Sequence, residues 1–232
     1  GRLTRLIEPW GEVTAGVHNW LPRGFDDTDE AQLGTAAALI PDAEKRAALT
    51  TWWLAVQGRG KPNTPNWDIA ATCRVGGQEG ILLVEAKAHD YELRKAEEGK
   101  GLNAPISTNS MRNHRRIAAC LEDASLALGE DTGLPWDLSV DWHYQMSNRF
   151  GWSWKLTELG FPVILVYLGF LNAEEMRKGT RKPIDSANEW EELVRSHSSR
   201  LFPNQIWDAK WTVNGRSFIP LIRAVEVPLF GG

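Results

Sequence analysis

An unbroken apolar run, Ile81-Leu82-Leu83-Val84, closes on Glu85-Ala86-Lys87, and no other stretch constrains this chain as tightly. Apolar residues without alternation mark a strand buried on both faces, and such a strand does not ordinarily end in two charges. Side chains along a strand repeat every second residue, so Glu85 and Lys87 project from one face. Upstream, Asp68 stands near the start of the strand-like run Asn66 to Cys73, and Gly76, Gly77 and Gly80 supply a turn that folds this run back as a hairpin. The hairpin draws Asp68, Glu85 and Lys87 together.

Burying these groups costs several kcal/mol for each ion left without a partner, so their placement calls for a task or a pair. A divalent cation supplies a task. Two carboxylates a few ångströms apart repel unless a cation lies between them, and Mg²⁺ takes hard oxygen ligands while keeping room for water and a phosphate oxygen. In phosphodiester hydrolysis the metal polarises a phosphoryl oxygen and acidifies a bound water, and a lysine beside it orients that water and offsets developing charge. Lys87 stands where that lysine is needed. The competing reading is plainer: a strand end reaches solvent in an unrelated α/β protein, with Glu85 and Lys87 as a structural ion pair.

The pattern of Asp68, a glycine turn, and Glu85-Ala86-Lys87 at the end of an apolar strand resembles the PD-(D/E)xK superfamily of restriction-endonuclease-like nucleases. The match covers residues 42 to 90, and the rest of the chain in outline. It departs from the family in having Asn66 and Trp67 where a proline can precede the aspartate. The resemblance implies that Asp68, Glu85 and the backbone carbonyl of Ala86 hold Mg²⁺, with Mn²⁺ able to substitute, and that Lys87 acts on the nucleophilic water. It implies a metal-dependent deoxyribonuclease, with a catalytically silent scaffold that binds nucleic acid or protein as the alternative. The family often takes a further acid from a helix. Here that acid is Glu44, on a helix after Asp42 whose small residues Ala47, Ala48, Thr51 and Ala55 form a stripe able to approach a sheet closely. Glu30, on a helix expected from Asp27 or Thr28 through Leu39, is the second choice, and a first-turn glutamate favoured by the helix dipole is the plain reading of Glu44.

The expected fold is a three-layer α/β restriction-endonuclease-like domain, a mixed central sheet flanked by helices. With 232 residues and no shift in composition, the chain reads as one domain: an N-terminal arm and helix over residues 1–41 pack on a core over 42–232. A net charge of −4 counts against a protein that coats nucleic acid, though an enzyme can confine its cations to one face. Cys73 and Cys120 lack metal-ligand spacing and read as buried free thiols in a reducing compartment. The longest apolar runs are too short for a bilayer and the N-terminus lacks a signal-peptide layout, so a soluble, cytoplasmic protein is expected, with a homodimer left open.

Along the chain, Arg59 and Lys61 lie in an irregular loop before Asp68 and can meet phosphates or solvent. His89 shares the parity of Glu85 and Lys87 and reads as a rim residue. The polar segment after Asp90 suits a flap. A helix follows whose first turns hold Arg112, His114, Arg115 and Arg116, the densest basic cluster, which reads as a phosphate-contacting face or a solvated one. The next helix, residues 141 to 159, carries a core stripe of Trp142, Met146, Phe150 and Trp154. It also carries more polar groups than a buried helix needs: Gln145, Asn148, Arg149 and Lys155. The resemblance makes Gln145 a substrate contact. A third strand spans 162–169. A fourth contains Pro220, which places it on a sheet edge. The twelve tryptophans read as packing.

Overall fold

In the computed structural model, the two strands that carry the charged residues are Ile69–Val75 (β3) and Gln78–Lys87 (β4), antiparallel from Ile69↔Val84 to Val75↔Gln78. Gly76 and Gly77 join them with φ of 56° and 81°, the left-handed conformation that a two-residue hairpin turn demands and that glycine adopts without strain. The structure describes residues 2–14, 20–22, 30–58, 63–95, 98–102, 106–174 and 182–226.

Strand β4 pairs on its other edge, in parallel, with Val163–Leu171 (β5), and β5 pairs in parallel with Arg216–Glu226 (β7). The short strand Trp211–Val213 (β6) closes that side antiparallel to β7, while Glu12–Val13 (β1) and Trp20–Leu21 (β2) add to the far edge of β3. The result is a mixed, open, seven-stranded sheet in the order β1-β3-β4-β5-β7-β6, with β2 also on β3. Parallel neighbours need crossovers. Between β4 and β5 run the helices Asp90–Lys95 (α3), Thr108–Thr132 (α4) and Tyr144–Glu158 (α5); between β5 and β7 runs Ala187–Ser198 (α6).

Ile81 through Val84 are at most 1% exposed, buried on both faces as their apolar run requires. Ile81 and Leu83 face the larger core, built with Leu49 and Trp53 of Ala43–Trp53 (α2), Ile117 and Leu121 of α4, Phe150 of α5 and Trp190 of α6. Leu82 and Val84 face a smaller core closed by Ile7 at the end of Arg2–Ile7 (α1), with Trp10 packed against it. The indoles act as packing groups: Trp52, Trp53 and Trp152 meet with ring centroids 5.3–6.1 Å apart.

Several local expectations are corrected. Residues 31–40 form turns instead of a helix, because Ala31 bridges to Trp67 and Leu33, Leu39 and Ile40 are drawn separately into the core; Asp27 and Thr28 lie outside the described residues. Asp42 does cap α2, accepting from the N–H groups of Glu44 and Lys45. The face that α2 buries, however, is Leu49, Thr50 and Trp53, while Ala47 and Thr51 are exposed. Larger apolar side chains return more free energy on burial than a stripe of small ones. Pro220 lies in an interior strand, yet beyond the last β6 pair, Trp211↔Phe218. On that outer edge its carbonyl accepts from the Asp208 N–H at 2.8 Å, and because the N–H and C=O of a strand residue point to the same side, the missing N–H breaks no bond with β5.

Candidate active site

The β3–β4 register, carried one step past Ile69↔Val84, sets Asp68 opposite Glu85. The backbone N–H of Ala86 donates to Asp68 Oδ2 at 2.7 Å and fixes the carboxylate beside the end of β4. Glu85 and Lys87 continue the face of Ile81 and Leu83, beneath the helices, and Lys87 Nζ donates to Glu85 Oε1. From α5, Arg149 Nε donates to Glu85 Oε2 at 2.6 Å. Asp68, Glu85, Lys87 and Arg149 line a cleft of about 660 Å³, walled by residues 63–66, residues 98–100 and the first turn of α5.

The charges are unevenly satisfied. Burial opposes ionisation of Glu85, but Arg149 and Lys87 outweigh it and hold its carboxyl below the usual carboxylate range. Asp68 is pushed up to about 6, first by burial and then by the charge of Glu85, against the opposing pull of the Ala86 N–H, Lys87 and Arg149. Its Oδ1 accepts no hydrogen bond from any described residue. Asp68 is thus a largely buried carboxyl with no cation bonded to it among the described residues.

Arg149 has a wider reach than Glu85. Its Nη1 donates to Asn148 Oδ1 and its Nη2 to the carbonyl of Asn66, both at 2.7 Å, and the guanidinium lies over the Trp67 ring at 4.6 Å. One side chain therefore ties the segment just before Asp68 to Glu85. Sequence reasoning saw Arg149 only as one polar residue too many in a buried helix. That excess was the available signal, since Gln145 and Arg149 at i, i+4 share a helix face. Tyr167 was missed for lack of any signal: β5 registers it against Glu85, and its hydroxyl is buried with no hydrogen-bond partner among the described residues. Burial foremost, then Glu85, keeps that phenol well above its ordinary pKa.

The other expected residues divide. Gln145 and Glu30 line the cleft. Glu44 does not: it is exposed in the first turn of α2, and the helix meets the cleft with its last turn through Trp53. An 11-residue helix spans about 16 Å, which removes its two ends from any common site. Arg112, Arg115 and Arg116 are exposed on α4 and outside the cleft lining, beside the end of α2, where Arg116 Nη2 reaches the Thr51 carbonyl at 3.4 Å. His89 is buried and not on a rim, because it bridges to Pro183 and its Nε2 meets Glu92 Oε1 at 3.3 Å. Arg59 and Lys61 lie outside the described residues. The expected flap is anchored where it is described, with Glu98 bridged to Trp142 and Lys100 N–H bonded to the Val140 carbonyl at 2.6 Å. Lys100, which sequence reasoning passed over, joins the cleft wall with its Nζ 4.8 Å from the Tyr144 ring centroid.

Among the described residues, no group of three or more His, Cys, Asp or Glu side chains could hold a metal. A cation here would rely on Asp68, Glu85 and the Ala86 carbonyl. This sparse, all-oxygen set suits Mg²⁺, which keeps several waters, better than a metal that needs a full protein cage. Each carboxylate oxygen has two lone pairs, so Glu85 can serve a cation while still accepting from Lys87 and Arg149. Comparison with protein-family models, curated proteins and solved structures yields no match to this chain. No described helix is long and apolar enough to cross a membrane.

Proposed function

We propose that this chain is a metal-dependent nuclease of the restriction-endonuclease-like kind, hydrolysing phosphodiester bonds in DNA at the end of the β3–β4 hairpin. The observation that carries the reading is the convergence of Asp68, Glu85 and Lys87 at one buried cleft, with Asp68 raised to about 6 by burial and by Glu85. A desolvated, repelled carboxylate is costly unless a cation offsets it, and such sites concentrate where chemistry is done.

Asp68, Glu85 and the Ala86 carbonyl would hold Mg²⁺ or Mn²⁺, which when bound supplies Lewis acidity toward a phosphoryl oxygen and acidifies water. The chain's own residues carry the other duties. Lys87 places a positive charge beside Glu85, where it can orient an attacking water and stabilise charge that grows on the phosphate. The Ala86 N–H holds Asp68 in position, and Arg149 keeps Glu85 ionised and fixed. Residues 63–66 and the first turn of α5 line the cleft beside these groups.

One observation favours a second reading. Glu85 already accepts from two cations, so its own charge is satisfied without metal, an arrangement that would also suit a silent scaffold. Mn²⁺ calorimetry on wild type and Asp68→Asn, with cleavage assays on linear, nicked, branched and single-stranded DNA, separates the two. The nuclease reading expects metal binding that Asp68→Asn abolishes, and cleavage of at least one substrate. A wild type that binds Mn²⁺ no better than the variant and cuts nothing is a scaffold.

A further inference from the structure

We propose that Lys100, held over Tyr144, is a phosphate-binding subsite for a single nucleic-acid strand flanking the phosphodiester at Asp68 and Glu85. The inference rests on the nuclease reading and adds to it the form of the substrate.

The cleft contains three cations among its described residues, and two of them are engaged: Lys87 and Arg149 both bond Glu85. Lys100 has no carboxylate within ion-pair range among the described residues, and its Nζ sits instead over the Tyr144 ring. Burial lowers its pKa. A half-buried cation without a counter-charge is unfavourable by itself, and an anionic ligand entering the cleft would offset that cost. Cation–π contact with Tyr144 holds the ammonium without neutralising it.

The subsite is preorganised by backbone. Lys100 N–H bonds Val140, Tyr144 N–H reaches the Glu98 carbonyl at 3.4 Å, and Glu98 bridges to Trp142. Between them Gly99 lies so close to the chain that a Cβ would stand 2.5 Å from the Asp141 carbonyl oxygen, so only glycine allows the approach. Lys100 is thereby fixed to the start of α5, the helix that also carries Gln145 and Arg149 into the cleft.

A single strand suits the surroundings better than an intact duplex. At about 660 Å³ the cleft is the size of a small-ligand site, and Glu85 at its floor is 1% exposed. The exposed Glu30 and Glu98 lie on its lining, where a duplex with two charged backbones would meet them. A single strand brings one backbone into the cleft and can place one phosphate at Lys100, while the Tyr144 ring serves to hold the ammonium.

The test uses a labelled short oligothymidylate and a hairpin-capped duplex of equal length, titrated by fluorescence anisotropy at several salt concentrations with Ca²⁺ in place of Mg²⁺. Wild type should bind the single strand more tightly than the capped duplex. Lys100→Gln should weaken single-strand binding roughly tenfold and reduce the logarithmic salt slope by about 0.7. Tyr144→Leu should weaken it comparably, Tyr144→Phe should retain it, and all three variants should bind Mn²⁺ as wild type does. Equal affinity for the capped duplex, an unaltered slope in Lys100→Gln, or no binding of the strand by wild type overturns the subsite. Failure of the nuclease reading looks different: strand binding that depends on Lys100, in a protein that binds no Mn²⁺, leaves the subsite standing and removes hydrolysis.

Discussion

Arg149 donates from Nε to Glu85 Oε2 at 2.6 Å, joining a helix to a strand at a point where both side chains are almost wholly buried. A buried charge deprived of its partner is far costlier than the pair is valuable. Arg149→Met should therefore destabilise the fold by about 3–5 kcal/mol in urea denaturation. Arg149→Lys should recover part of that loss, because it keeps the charge but cannot span both Glu85 and the Asn66 carbonyl. Equal stability of the Met variant and wild type would show that Lys87 alone suffices for Glu85.

Asp68 makes stability depend on pH in the direction opposite to that of an ordinary paired carboxylate. Its folded pKa of about 6 lies above the ordinary 3.8, so the folded state holds the proton more tightly than the unfolded chain. The penalty for ionising it grows as pH rises from 3.8 through about 6 and is fully present above that. In EDTA at about pH 7.5, Asp68→Asn should be more stable than wild type by roughly 1–3 kcal/mol, with the gap closing near pH 4. Saturating Mn²⁺ should raise the melting temperature of wild type and leave the variant where it was. Thermal scans at both pH values, with and without metal, check the sign.

Lys87 has two roles that one substitution can separate. Lys87→Met should keep Mn²⁺ and DNA affinity within a few-fold of wild type while single-turnover cleavage falls by roughly 10²-fold or more, because its contribution is made chiefly in the transition state. Arg149 remains on Glu85 in this variant, so the stability loss should be smaller than that of Arg149→Met. Cleavage at full rate removes Lys87 from the mechanism.

The basic start of α4 should serve long DNA only. Reversing Arg112, Arg115 and Arg116 is expected to lower affinity for long duplexes and reduce the salt slope by about 0.9 for each lost phosphate contact. Binding of a short single strand should be unaffected, since these side chains are exposed and do not line the cleft. A salt titration with both ligands decides whether this face touches DNA or only water.

What the sequence determined by itself is local and periodic. The apolar run before Glu85, the two-residue parity that aligns Glu85 with Lys87, and the glycine pair that folds Asp68 back toward them each depend on neighbours a few residues away, and all three stand in the structure. The Asp42 cap is legible for the same reason. The tertiary structure alone decided which distant residues complete the cleft. Arg149 reaches Glu85 across 64 positions of sequence, and Lys100 meets the cleft only because Gly99 lets its backbone close on Asp141. The orientation of α2 was equally nonlocal: the core took Leu49 and Trp53 and turned Glu44 to solvent. Strand parity and turn chemistry are properties of short windows, whereas the choice of which helix face is buried belongs to the sheet it packs on, which no single window contains.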